Sequence, residues 1–204
     1  MTIGQKNPVK SIDRGLFFQY NITMDTVKRS KTEHLRLILR IILPIACALV
    51  LAFIFSNSLK TGEASSAQSS KVVDAVQAVF GVIAPNSSIA TATGEDYQRL
   101  HACIRLLAHF AEFALLGALF AWCCLSYTTK KVYFIIPTVG VLTVPCIDEG
   151  LQSLTAERAA EWKDILVDGA GGIFGLIFAV LCVLVGVAVY KKIKANKSEA
   201  RGID

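Results

Sequence analysis

Arg105, His109 and Glu112 sit inside an otherwise apolar run, and at about 100° per residue they fall within about 60° of one another on a helix. An ionisable group in lipid costs several kcal/mol unless it is paired or faces water, so each such group is a candidate for function. Two further groups have the same character. The run CIDEGLQSL ends an apolar stretch with Asp148, Glu149 and Gln152, of which Asp148 and Gln152 share a face if the helix continues past Gly150. The run WKDILVDGAGGIFG opens another stretch, placing Asp164, Asp168, Gly171 and Gly175 on one stripe. The dipole of a helix N-terminus stabilises negative charge, which explains Asp164 as a capping residue but not Asp168, one turn deeper. The step from Gly171 to Gly175 permits a neighbouring helix to approach closely.

These residue types support more than one chemistry. Arg105 and Arg158, with His109, suit an anionic or amide-bearing headgroup, because guanidinium groups form forked, charge-assisted hydrogen bonds to phosphate. Alternatively, the carboxylate pairs Asp148/Glu149 and Asp164/Asp168 could activate water or hold a divalent metal, with His109 as acid or base. No hydroxyl or thiol nucleophile stands in a base-adjacent motif, so recognition is preferred over catalysis, and no cofactor is required. Buried His and Glu can also relay protons in a transporter, although four helices without an internal repeat suit that role less well. The bland reading of each group is structural: a buried pair that pins helices, or a solvated helix end.

The elements that position these groups follow from composition. The chain has 204 residues, 53% hydrophobic and 18% charged, and its mean hydropathy of +0.52 exceeds what one soluble core of this size hides. A spanning helix needs about 20 mostly apolar residues. Four stretches come close: 37–56, 106–127, 132–147 and 165–190. The third is short and carries Pro137 and Pro145, so taken alone it could be re-entrant. The expected fold is all-α, a polytopic transmembrane bundle of about four helices spanning residues 36–190.

Basic residues flank the first stretch (Lys28, Arg29, Lys31, Arg36, Arg40), fill the turn after the second (Lys130, Lys131) and follow the fourth (Lys191, Lys192, Lys194, Lys197), while the loop after the third is acidic. Since basic residues stay on the cytoplasmic side during insertion, both termini are expected there, in a multi-pass protein of the cell membrane. Glu112 then lies ~22 Å above the cytoplasmic boundary, roughly 8 Å beneath the outer surface. The net charge of +5 reflects this topology and contact with membrane lipids, and makes no case for nucleic acid. The first apolar stretch starts too deep for a cleavable signal peptide. The six cysteines show no metal spacing, and most lie in apolar helices, where a thiol acts as a small hydrophobe. Only Cys103 and Cys146 lie near outer helix ends, and a disulfide between them is not expected.

Outside the apolar stretches, residues 1–35 read as a mobile cytoplasmic tail and 191–204 as a basic cytoplasmic tail. In the first outer loop, Val72, Val73, Val76, Val79, Phe80 and Ile83 recur at helical spacing. That predicts an amphipathic surface helix over Lys71 to Ile83, capped by Ser69 or Ser70. It either lies on the membrane surface or packs over the bundle. Pro85 to Asp96 reads as a loop.

Taken in order, the runs FSNSLKTGEASSAQSS, IRLLAHFAEFALLG and DEGLQSLTAERAAEWKDILVDGAGGIFG resemble the VanZ-like family of small bacterial membrane proteins, from roughly Leu37 to Leu184. The resemblance implies site positions at Ser56 after Phe55, at Arg105, His109 and Glu112, at Asp148, Glu149 and Gln152, at Arg158, and at Asp164, Asp168, Gly171 and Gly175. Two positions depart from the family pattern: Asp168 stands where Asn is usual, and Leu106 where Lys is usual. The name-giving member of that family resembles a factor of resistance to teicoplanin-type glycopeptides. The implied partners are therefore a lipid-linked wall precursor, a lipid headgroup or a lipoglycopeptide at the outer leaflet, with a homo-oligomer left open.

Overall fold

The computed structural model describes residues 9–156, 158 and 161–201, with side chains between 33 and 197. Among them are five α-helices: α1 (Val9–Ser58), α2 (Gly62–Ile83), α3 (Gly94–Tyr127), α4 (Ile135–Gln152) and α5 (Trp162–Arg201), with a 3-10 turn at Lys131–Phe134 leading into α4. Four segments are long and apolar enough to cross a membrane: Glu33–Ser58, Gly94–Tyr127, Lys131–Gln152 and Trp162–Lys197. The third stretch is therefore helical throughout. Pro137 falls in the first turn of α4, where a missing N–H removes no intrahelical bond.

Residues up to Ile42 form one compact unit and Leu43 onward a second. Within the first, the backbone is helical from Val9. Once a helix exists, each further residue adds a hydrogen bond without a new nucleation cost, so polar residues adjoining a spanning segment extend it readily. The same reasoning accounts for α5 running on to Arg201 and for α3 starting at Gly94 rather than near Leu106.

In the second unit, α3 packs chiefly along α5, with α4 against both. The α3–α5 contact is made of small residues. A Cβ on Gly171 would collide with the carbonyl oxygen of Phe110, one on Gly175 with that of Ala114, and one on Gly117 with that of Gly172. Without a hydrophobic drive between helices in lipid, such backbone-to-backbone approach is a main source of cohesion. Further along the same face, Ala118 and Ala121 meet Ala179. Towards α1 and α4 the core is larger, with Ile54, Phe113, Leu116 and Val144 buried together.

Helix α2 begins earlier than its apolar spacing indicates. Its cap is Thr61, whose hydroxyl accepts from the Ala64 N–H at 3.3 Å, rather than Ser69 or Ser70. The polar run before Lys71 is helical because the cap and Glu63 in the first turn favour initiation there. Val73 is fully buried, Gln77 Nε2 donates to the carbonyls of Ile89 and Ala92, and the Tyr97 hydroxyl donates to Asp74. These contacts fasten α2 along the start of α3. Val79, Val82 and Ile83 stay exposed on its other side, an apolar strip available to lipid. All six cysteines are free thiols.

Candidate functional site

The C-terminal end of α1, the N-terminal half of α3, the C-terminal end of α4 and the N-terminal end of α5 lie at one end of the bundle, and each delivers polar side chains there. Helix α4 continues past Gly150, so Asp148 and Gln152 stack one turn apart, and Gln152 Nε2 donates to Asp148 Oδ2 at 2.8 Å. Asp148 Oδ1 accepts a short hydrogen bond from the Ser58 hydroxyl of α1. Asp148 is 1% exposed, so both its oxygens are fixed by donors inside the protein. Asp168 is equally buried, but neither of its oxygens receives a hydrogen bond. His109 stands beside it, with Nδ1 3.5 Å from Asp168 Oδ1 and likewise without a hydrogen bond.

A cavity of about 110 Å³ opens beside this cluster. Its walls include the cationic groups Lys60, Arg105 and Arg158 together with His109, Glu112 and Asp148. At about 10–15 Å³ of such space per water, it holds several waters or a phosphate-sized group. Lys60 Nζ is steadied by Asn57 and by Gln68 of α2, at 2.8 and 2.7 Å. Arg158, in the connection from α4 to α5, donates from a terminal nitrogen to the Ser58 carbonyl at 3.4 Å. Burial lowers the pKa of its guanidinium, the like charge of Arg105 adds to that, and Asp148, Glu149 and Asp164 oppose it. Among the described residues, no ion pair joins Lys60, Arg105 or Arg158 to a carboxylate.

Other candidates are placed differently. Glu149 is buried but turns from the cavity, accepting from the Glu161 N–H and so holding the loop onto the end of α4. Asp164 is half-buried at the start of α5 and does not line the cavity. Ser56 is exposed, its hydroxyl bonded to the Phe53 carbonyl, and the cavity hydroxyl belongs to Ser58 instead. Two residues along a helix is a turn of about 200°, so only one of these serines can face α4. Lys60 was also absent from the sequence reading. The signal available for both was their place at the end of the first apolar stretch, next to where the other polar groups gather. A larger groove of about 650 Å³ lies at the turn between α3 and α4, lined by Phe120, Cys123, Tyr127 and Pro137 among others. Its walls are mostly aromatic and aliphatic and bring no acid–base cluster together.

Residues 43–184 match the VanZ/LLP1 family. The chain belongs to that family. Neither a curated protein nor a solved structure matches it. The VanZ/LLP1 match spans every residue of the cluster, from Ser58 through Gly175, and leaves out the N-terminal unit and the basic end of α5. This is a VanZ-family membrane protein with multiple spans. Within its VanZ/LLP1 domain, the helix contact at Gly171 and Gly175 lies immediately below Asp168, so tight packing and a buried carboxylate occupy successive turns of one helix.

Proposed function

We propose that this VanZ-family protein recognises the anionic headgroup of a lipid or lipid-linked molecule at the outer leaflet, such as a wall precursor or a lipoglycopeptide. The observation that carries the reading is the single cavity walled by Lys60, Arg105 and Arg158, none of them neutralised by an ion pair among the described residues. Two guanidinium groups whose like charges act on each other are relieved by an anion placed between them. Phosphate suits that position, since it accepts forked hydrogen bonds from both. A role in glycopeptide resistance follows if binding sequesters or remodels the antibiotic's target at the membrane surface.

Purified protein in detergent should retain a phosphate-bearing lipid detectable by mass spectrometry. The paired change Arg105→Ala with Arg158→Ala should weaken retention by about 100-fold or more, because each charge-assisted hydrogen bond contributes about 1.5–3 kcal/mol. Equal retention by the double variant and the wild type would overturn the reading. Steady conversion of the retained lipid to product would favour catalysis instead, for which His109 beside Asp168 is the candidate acid–base pair.

The orientation belongs to the same proposal: both termini cytoplasmic, and the cavity facing outward. Cysteines introduced at Ser66 and Lys197, in a background lacking the native thiols, should be labelled from opposite sides by an impermeant reagent. Labelling of both from one side would reverse the placement of the cavity.

A further inference from the structure

We infer that His109, Asp148 and Asp168 together bind one divalent cation of the first transition series, Zn²⁺ or Mn²⁺, beside the cavity. One residue comes from each of α3, α4 and α5, and one ligand atom from each lies within 4.8 Å of the other two. Small side-chain rotations bring three atoms so placed onto bonds of about 2.0–2.2 Å.

Three observations point to a ligand rather than to an acidic cluster that is merely buried. Asp168 is 1% exposed, and neither of its oxygens has a hydrogen-bond partner. Apart from the long 3.5 Å approach of His109 Nδ1, this buried carboxylate has no donor among the described residues, a costly arrangement that persists where something else satisfies it. His109 Nδ1 is buried and unbonded on the same side, 3.5 Å from Asp168 Oδ1. Asp148, by contrast, is oriented by Ser58 on one oxygen and Gln152 on the other. That is how proteins hold a metal-ligating carboxylate from behind, and each oxygen keeps a second lone pair for a metal.

The donor set selects the ion. An imidazole disfavours Mg²⁺ and Ca²⁺, two carboxylates disfavour Cu⁺, and one nitrogen with two oxygens suits Zn²⁺ or Mn²⁺ with positions left open. The cation also resolves a conflict of charge in the cavity. An anionic headgroup next to Asp148, with Glu112 in the same wall, is repelled by both carboxylates. A divalent cation held by His109, Asp148 and Asp168 neutralises the two aspartates and offers its open positions to phosphate oxygens. This use of the metal rests on the headgroup reading; the metal site itself does not.

The test uses the full chain in detergent, stripped with a chelator. Titration with Co²⁺, followed by visible absorption, should show one equivalent bound, displaced by Zn²⁺ or by a large excess of the more weakly binding Mn²⁺. His109→Ala and Asp168→Asn should each weaken binding at least tenfold, and Asp74→Asn, on α2, should leave it unchanged. Absence of Co²⁺ bands in folded wild-type protein overturns the inference, whether or not the variants fold. So does undiminished binding in both His109→Ala and Asp168→Asn. Lipid retention measured on the same samples separates the two proposals: metal bound without lipid removes the headgroup reading alone, and lipid retained by protein that takes up no metal removes the metal alone.

Discussion

Gly175→Val should abolish accumulation of the folded protein, whereas Gly186→Val on the same helix should leave it intact. A Cβ at Gly175 would overlap the carbonyl oxygen of Ala114 and lie 2.8 Å from its Cα, while one at Gly186 meets nothing within 4 Å. Overpacking costs about 1–3 kcal/mol when a flexible side chain can give way. Here the obstacle is the backbone of α3, which moves only if the whole α3–α5 contact opens. Opening it would also separate Phe110 from Gly171 and Gly117 from Gly172, and draw Asp168 away from His109. The loss should therefore reach or exceed the upper end of that range, read as at least a tenfold fall in monodisperse protein by fluorescence-detected size exclusion. Equal yield and equal thermal midpoint for Gly175→Val and the wild type would show that the close approach contributes little.

The difference between Gly175 and Gly186 shows what the sequence carries and what it leaves to packing. Both glycines sit in the same apolar helix. Only the spacing of Gly171 and Gly175, with Asp168 and Asp164 above, marks the stripe that faces α3. The four spans and the stripe of Arg105, His109 and Glu112 were legible because burying charge in lipid is costly, and that cost shows in residue types alone. Rotation of α1 about its own axis was not legible. Nearly every side chain from Leu37 to Phe55 is apolar, so nothing local distinguishes the face that meets α4. Ile54 settles it by packing against Phe113, Leu116 and Val144, which turns Ser58 inward and Ser56 outward. The grouping of His109, Asp148 and Asp168 was hidden for a similar reason. Pairing by sequence proximity joins Asp148 to Glu149 and Asp164 to Asp168, whereas the bundle joins residues of three helices and turns Glu149 to the loop. Helix limits also strayed, since polar residues that extend a spanning helix resemble residues that leave it.

Asp148→Ala and Asp148→Asn should have the same effect on binding and different effects on stability, which separates the charge of this carboxylate from its place in the packing. In the wild type, Ser58 and Gln152 each donate to it from buried positions. Truncation to Ala removes both acceptors. The Ser58 hydroxyl has a second acceptor within reach, the Ile54 carbonyl at 3.0 Å, and loses little. The Gln152 amide has no such alternative among the described residues, and an unsatisfied buried amide costs about 1–3 kcal/mol, which should appear as a lowered thermal midpoint. With Asn, the side-chain oxygen still accepts from Ser58, and Gln152 can rotate its amide to present oxygen to the new NH₂ group. Stability should then fall by less than about 1 kcal/mol, within the range of a well-tolerated polar exchange. Binding should not recover with stability. The Asn amide is neutral and directs hydrogens where the carboxylate offered an anionic oxygen, so it does not ligate a divalent cation well. Retention of Co²⁺ should therefore drop at least tenfold in both variants. Full retention of Co²⁺ by Asp148→Asn would mean that the carboxylate serves only to seat Gln152 and Ser58, and as a ligand it would then be scaffold rather than site.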